Sequence, residues 1–241
     1  MFSYDTTLRN AVQTPPQSIK DVLEIMQTIE DTCADGDGLK WFNWLYHRVT
    51  QAVEARIAAG GFGNSAWLAE LDVQFARLYF DALQAFLSGR PAADCWRALF
   101  ERRNQVMTAR IQFALAGINA HINHDLAAAL VSTCESTGTS PQWGNPLYAA
   151  YTSLNSTLNA LVENAKQELH VRLLGQVLPP ASQLENAIAA WSITAAREAA
   201  WRNAEVLWNL QSLPSVASRF LATLDGLATM SSKVLLAVVV P

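Results

Sequence analysis

The sequence predicts an all-α fold: a single-domain bundle of about seven or eight helices around a buried central helix. Three observations carry that expectation. Apolar residues recur at helical spacing in one segment after another, glycine and proline cut the chain into helix-sized pieces, and no stretch alternates apolar with polar residues as a half-buried strand does. No internal repeat or low-complexity segment suggests a solenoid or a linker.

The helices follow in order. Ser18 and Asp21 form an N-terminal capping pair ahead of Ile19, Val22, Leu23, Met26 and Ile29, which share one face. Residues 1–16 read as an N-terminal tail and 17–241 as the domain. After the turn from Asp35 to Gly38, the residues Phe42, Leu45, Val49, Val53 and Ile57 trace a second stripe. Leu68, Leu71, Phe75, Leu78, Ala82 and Phe86 trace a third, and shorter helical material carries Trp96 and Phe100. A long helix is predicted from Thr108 to Cys134, then one from Pro146 to Leu174, one from Pro180 to Gln211, and a last from Pro214 onwards.

Hydrophobic residues make up 51% of the chain and charged ones 16%, enough apolar material for one large core with a surplus to line a pocket or join a homodimer. The net charge of -4, with basic residues scattered, excludes a phosphate-tracking stripe and so argues against nucleic acid as a partner. The first residues, Met1 to Asp5, lack the features of a signal peptide. The longest apolar run, Val234 to Val240, is far below the ~20 residues of a membrane span. A cytoplasmic protein is expected. Cys33, Cys95 and Cys134 are odd in number and far apart, which fits reduced, buried thiols.

The chemistry concentrates in one segment. Between Ile111 and Val131 there is no Lys, Arg or Glu, so the helix there has no strongly solvated side, yet it carries Asn119, His121, Asn123, His124 and Asp125. Burying those groups without partners costs several kcal/mol. On a regular helix Ile111, Leu115, Ile118, Ile122 and Leu126 form one seam, with His121 and Asp125 together on its flank. Two readings stand side by side. In one, His121 and Asp125 are a catalytic acid/base pair, with Asn119, Asn123 and Arg197 as orienting groups, or His121, His124 and Asp125 hold a divalent metal such as zinc. In the other, the same groups cross-link neighbouring helices. The HxxH spacing lacks the Glu of HExxH, and Asp35, Asp37, Asp72, Glu101 and Glu205 are undistinguished candidates for a further ligand.

Arg197 lies among small and apolar residues, where a salt bridge to Asp125 or another carboxylate is expected to neutralise it. The eight tryptophans, dense around Trp41 and Trp44 and again at Trp191, Trp201 and Trp208, are able to wall a pocket for an apolar or amphipathic molecule. His47 and His170 read as surface residues. No phosphate loop, GxSxG elbow or carboxylate-rich di-metal motif occurs, so no organic cofactor is implied.

DGDGLKWFNWLYHRVTQAV (Asp35 to Val53), IQFALAGINAHINHDL (Ile111 to Leu126) and WSITAAREAAWRNAEVLW (Trp191 to Trp208) together resemble the bacterial all-helical family catalogued as domain of unknown function 5995. The resemblance covers nearly the whole chain from Ile19. It implies the fold and the single-domain extent, and it places the Asn/His/Asn/His/Asp cluster within the family's pattern, but it implies no catalytic residue. The function expected from the residues is a small-molecule enzyme of hydrolase or isomerase/cyclase type. The alternative is a non-catalytic helical domain that binds an apolar ligand or dimerises. On the catalytic reading, Asp125→Asn and His121→Ala leave the melting temperature unchanged or raise it.

Overall fold

The structure is a computed structural model that describes residues 2–60, 64–171 and 191–237. It is helical, with no strand among the described residues. In chain order the helices are α1 (Asp5–Ala11), α2 (Ile19–Thr32), α3 (Gly38–Ala58), α4 (Ser65–Leu87), α5 (Asp94–Phe100), α6 (Arg110–Ala120), α7 (Leu126–Ser136), α8 (Pro146–Thr152), α9 (Asn155–Val171), α10 (Ile193–Asn209) and α11 (Pro214–Leu235). One cluster of buried side chains runs from Leu8 to Leu236.

Local chemistry sets several of these boundaries. Ser18 Oγ accepts from the Asp21 amide at 3.2 Å while the Asp21 carboxylate accepts from the Ser18 amide at 3.0 Å, the reciprocal cap expected of α2. Asp37 caps α3 by accepting from the Leu39 amide. Asn145 caps α8 ahead of Pro146, and Ser192 caps α10.

Helix α6 is the buried centre: every residue from Ile111 to Ala120 is inaccessible. It lies against α3 through two interlocked glycines. A β-carbon on Gly38 would fall 2.3 Å from the Phe113 ring, and one on Gly117 would fall 2.3 Å from the Phe42 ring. Each helix thus lodges an aromatic ring where the other has no side chain, which brings the backbones together.

Tertiary packing changes several boundaries read from the sequence. The segment 1–16 is not a loose tail, because α1 forms within it and buries Leu8, while Val12 beyond the helix is buried too. Seven polar-rich residues have little helical signal of their own; Arg103 ties them down by bridging Asp5 and Asp37, and Tyr4 donates to Asp37. The predicted helix from Thr108 to Cys134 is interrupted by a π turn, His121–Asp125, between α6 and α7. The predicted Pro146 to Leu174 helix breaks into α8 and α9, with Leu174 outside the described residues. Of the predicted Pro180 to Gln211 helix, the part before Trp191 also lies outside them. Cys33, Cys95 and Cys134 are free and buried, as expected. Leu235 and Leu236 of the C-terminal apolar run are buried, while Val238 to Val240 lie outside the described residues.

Candidate functional site

The π turn carries the central polar network. A π turn holds more residues per turn than an α-helix, so successive side chains fan over a narrower arc. Within it His121 and His124 reach the same carboxylate. His121 Nδ1 lies 2.9 Å from Asp125 Oδ2, His124 Nδ1 lies 2.6 Å from Asp125 Oδ1, and Trp96 Nε1 donates to Oδ2 at 2.9 Å. With Asp125 ionised, both imidazoles donate through Nδ1, leaving each Nε2 as the acceptor of a neutral ring.

The electrostatics follow from this geometry. Burial alone would raise the Asp125 carboxyl, but the hydrogen bonds from His121 and His124 outweigh it and hold it below the usual carboxylate range. Burial pushes His121 down more than Asp125 lifts it, so it is neutral at pH 7. His124 is also pushed down by burial, yet the bond to Asp125 and the nearby Asp225 charge leave it raised.

His121 is 1% exposed and enclosed by rings. Phe75 stacks on it with centroids 3.4 Å apart and planes 5° apart, Tyr46 meets it edge-on at 4.6 Å, and Phe42, Tyr79 and Trp96 complete the box. Its Nε2 has no hydrogen-bond partner among the described residues. Asn119 donates to the Ala228 carbonyl at 2.8 Å and to Ser232 Oγ at 3.0 Å, and Asn123 donates to Asn119 Oδ1 at 2.8 Å, so these two fasten α6 and the π turn to α11.

Arg197 does not pair with Asp125. Its Nε donates to Asn155 Oδ1 at 2.8 Å, its Nη2 to the Tyr151 carbonyl at 2.9 Å, and its guanidinium lies 3.9 Å from the centre of the Tyr151 ring. It is 7% exposed, burial lowers its pKa, and no carboxylate pairs with it among the described residues. His47 is also relocated, since it is buried against Glu30 at 3.1 Å rather than on the surface. The His170 side chain lies outside the described residues.

No set of three or more His, Cys, Asp and Glu residues among the described residues is arranged to hold a metal ion. His121 and His124 turn their Nδ1 atoms to one carboxylate instead of presenting lone pairs to a common point. The carboxylates considered as further ligands are engaged elsewhere: Asp35 with Lys40, Asp37 with Arg103, Glu101 with Arg97 and Glu205 with Arg202.

The fifth, Asp72, is different. Phe75 also lines a cavity of about 40 Å³ bounded by Tyr46, Asp72 and Arg197, with further apolar walls that include Leu68, Leu126 and Leu158. Asp72 is 8% exposed, and its Oδ2 has no hydrogen-bond partner among the described residues; the same holds for the Tyr46 hydroxyl and for Thr50 Oγ1, one helical turn beyond Tyr46. Burial, reinforced by the Glu54 charge, raises the Asp72 carboxyl from 3.8 to about 7. Burial also pushes the Tyr46 phenol well up, with Asp72 adding to it.

Sequence reasoning reached Arg197 but missed Tyr46 and gave Asp72 no distinction. A signal was present. Asp72 sits one turn after Leu68 and beside Leu71 on the stripe that continues to Phe75, a carboxylate on a face otherwise apolar.

Residues 19–238 match the model of the family of unknown function DUF5995. The chain belongs to this family. No curated protein and no solved structure matches it. The matched span of this DUF5995 chain contains both the Asp125 network and the Asp72 cavity, whereas α1 and the Ser18 cap precede it. No helix among the described residues is long and apolar enough to cross a membrane.

Proposed function

We propose that this DUF5995 protein is a small-molecule enzyme of hydrolase or isomerase type, and that its general acid–base group is Asp72 rather than the His121–Asp125 pair. The observation that carries the reading is the state of Asp72: a buried carboxyl with an unpartnered oxygen, lining a cavity and poised near neutrality. General acid–base catalysis is most efficient when the group's pKa lies near the working pH, and perturbed carboxyls in cavities mark such sites. Asp125, by contrast, accepts three hydrogen bonds. The network around it acts on the cavity through Phe75 and Tyr46, which touch His121 and also line the cavity. His121 and Asp125 are therefore positioning residues in this reading.

Polar groups at the margins and leucine walls between them suit a small amphipathic molecule. The direct test is carbon-13 NMR of the Asp72 carboxyl. A midpoint near 7 is expected, and one near the ordinary value of about 4 would overturn the assignment. A panel of esters, amides and small carbonyl compounds then supplies the kinetic arm. Turnover should inflect near pH 7 and vanish in Asp72→Asn.

A second reading, a dimerising domain, draws on α11. Val216, Leu227, Met230 and Val234 are exposed on that helix at spacings that place them on one face. Sedimentation of the wild type against Met230→Asp distinguishes a self-associating chain from a monomer.

A further inference from the structure

Tyr46 and Asp72 line one cavity, and each keeps an oxygen without a hydrogen-bond partner among the described residues, although Tyr46 is only 2% and Asp72 only 8% exposed. The two bear on each other, since the Asp72 charge adds to the upward push on the Tyr46 phenol. Glu54 from α3 brings a second negative charge and raises the Asp72 carboxyl further. Arg197 lines the same cavity but does not set the Asp72 carboxyl, which burial and Glu54 govern; its guanidinium is engaged with Asn155 and with the Tyr151 carbonyl and ring. Ionising Asp72 therefore places a buried negative charge beside another of its own sign.

The group that satisfies this end of the cavity combines positive charge with N–H donors. A carboxylate accepts only and a phenol oxygen accepts as well as donates, so both oxygens are able to accept from one ammonium, which carries three donors. The Tyr46 and Phe75 rings that line the cavity favour a cation as well. An anion there would meet charge of its own sign, and a neutral alcohol would leave the carboxylate unpaired. The remaining walls, among them Val49, Val53, Leu68 and Leu158, are apolar and suit an alkyl chain rather than a hydrated metal ion, which calls for several oxygen ligands.

Building on the acid–base reading above, we propose that the cavity binds a primary alkylammonium ion, its nitrogen shared between the Asp72 carboxylate and the Tyr46 hydroxyl oxygen and its chain laid along the valine and leucine walls. Such a ligand keeps its charge through the neutral range, as a lysine side chain does, so binding requires Asp72 to release its proton. Affinity therefore rises with pH through the Asp72 midpoint and levels off above it. The bound cation holds Asp72 in the ionised form, the one able to accept a proton from a reacting group. The titratable and charged groups that bear on this end are Glu54 and Tyr46 from α3, Arg197 from α10, and His121 and Asp125 of the π turn through their contact with Tyr46; α7 and α9 contribute the neutral Leu126 and Leu158. Burial holds Tyr46 and His121 neutral, and the histidine hydrogen bonds hold Asp125 ionised, so none of these three changes state between pH 6 and 8.

Isothermal titration calorimetry of the full chain with n-butylammonium chloride, at pH 6 and 8 in buffers of different ionisation enthalpy, tests the proposal, with 1-butanol and sodium butyrate as the neutral and anionic counterparts. Butylammonium affinity is expected to be about tenfold higher at pH 8 than at pH 6, with close to one proton released on binding at pH 6 and little at pH 8. Butanol and butyrate should bind at least tenfold more weakly at pH 8. Asp72→Asn should weaken butylammonium binding at least tenfold and remove its pH dependence, whereas Tyr46→Phe should weaken it severalfold and keep that dependence. If Asp72→Asn fails to fold, carbon-13 NMR of the wild type replaces it: saturating butylammonium should carry the Asp72 midpoint from about 7 to below about 6. Absence of saturable heat up to about 100 mM butylammonium at pH 8, butanol or butyrate binding as tightly, undiminished binding to Asp72→Asn, or an unmoved midpoint overturns the proposal. An Asp72 midpoint near 7 in the free protein without butylammonium binding overturns this inference alone, whereas a midpoint near 4 overturns the acid–base reading and the proton-coupled binding with it.

Discussion

Replacing Asp72 by Asn should make the protein more stable at alkaline pH and remove a specific part of its pH dependence. The carboxyl titrates at about 7 in the fold against 3.8 for the ordinary group. Because the folded pKa is raised, the native state holds the proton while the unfolded chain has lost it. Stability is therefore fully present below pH 3.8, falls as pH rises, and levels off above about 7. At about 1.4 kcal/mol for each tenfold change, the full loss is about 4 kcal/mol. Asn keeps the shape and cannot ionise, but it leaves an amide without partners at a cost of about 1 to 3 kcal/mol. The balance at pH 8 is a gain of roughly 1 to 3 kcal/mol, or about 2 to 10 °C in Tm for a chain of this length.

The decisive quantity is the difference between variant and wild type, because every other titrating group cancels in it. Between pH 5 and 8 that difference should shift in favour of Asp72→Asn by about 2 to 3 kcal/mol. Urea unfolding across this range, with the slope monitored for two-state behaviour, measures it. Parallel pH profiles for the two proteins would refute the reasoning, since they would mean that Asp72 is ionised and solvated in the fold.

Asp125→Asn should lower Tm by more than about 8 °C, because one of its three donors then meets an amide N–H and a buried pair broken from one side costs roughly 3 to 5 kcal/mol; thermal unfolding checks this. His121→Ala, which opens a void inside the aromatic box, should fall in the same way, the opposite of the outcome expected for both variants on the catalytic reading of the sequence. In imidazole NMR, His124 should titrate above and His121 below the ordinary 6.5; the His124–Asp125 contribution to stability is present below pH 6.5 and lost as pH rises through the raised His124 value. Gly117→Ala should destabilise by at least about 1 to 3 kcal/mol, because its β-carbon meets the Phe42 ring at 2.3 Å, while Gly226→Ala on α11, with nothing within 4 Å, should stabilise by about 1 kcal/mol; chemical denaturation of the pair measures both.

Periodicity and capping are local, and they made the all-α class, the α2 cap, the seam through Ile118 and Ile122 and the burial of α6 legible from residue order alone. A segment free of Lys, Arg and Glu has no solvated face, so its place at the centre follows from solvation. The partners of its polar groups do not. Trp96 reaches Asp125 from 29 positions away, Ala228 meets Asn119 from 109 positions away, and α1 is held by Arg103 from a different part of the chain. The π turn depends on the same tertiary demand, since a regular helix satisfies its own backbone and nothing local calls for the extra residue. The sharpest case is the site itself. Tyr46 and Asp72 lie on the consecutive helices α3 and α4 and Arg197 on α10, far along the chain, and only tertiary packing leaves a space lined by all three, where Asp72 and Tyr46 keep polar atoms unmatched and Arg197 lacks an anionic partner among the described residues. Residue order specifies which faces must be buried. Which polar atoms are left without partners once they are buried is a property of the assembled interior.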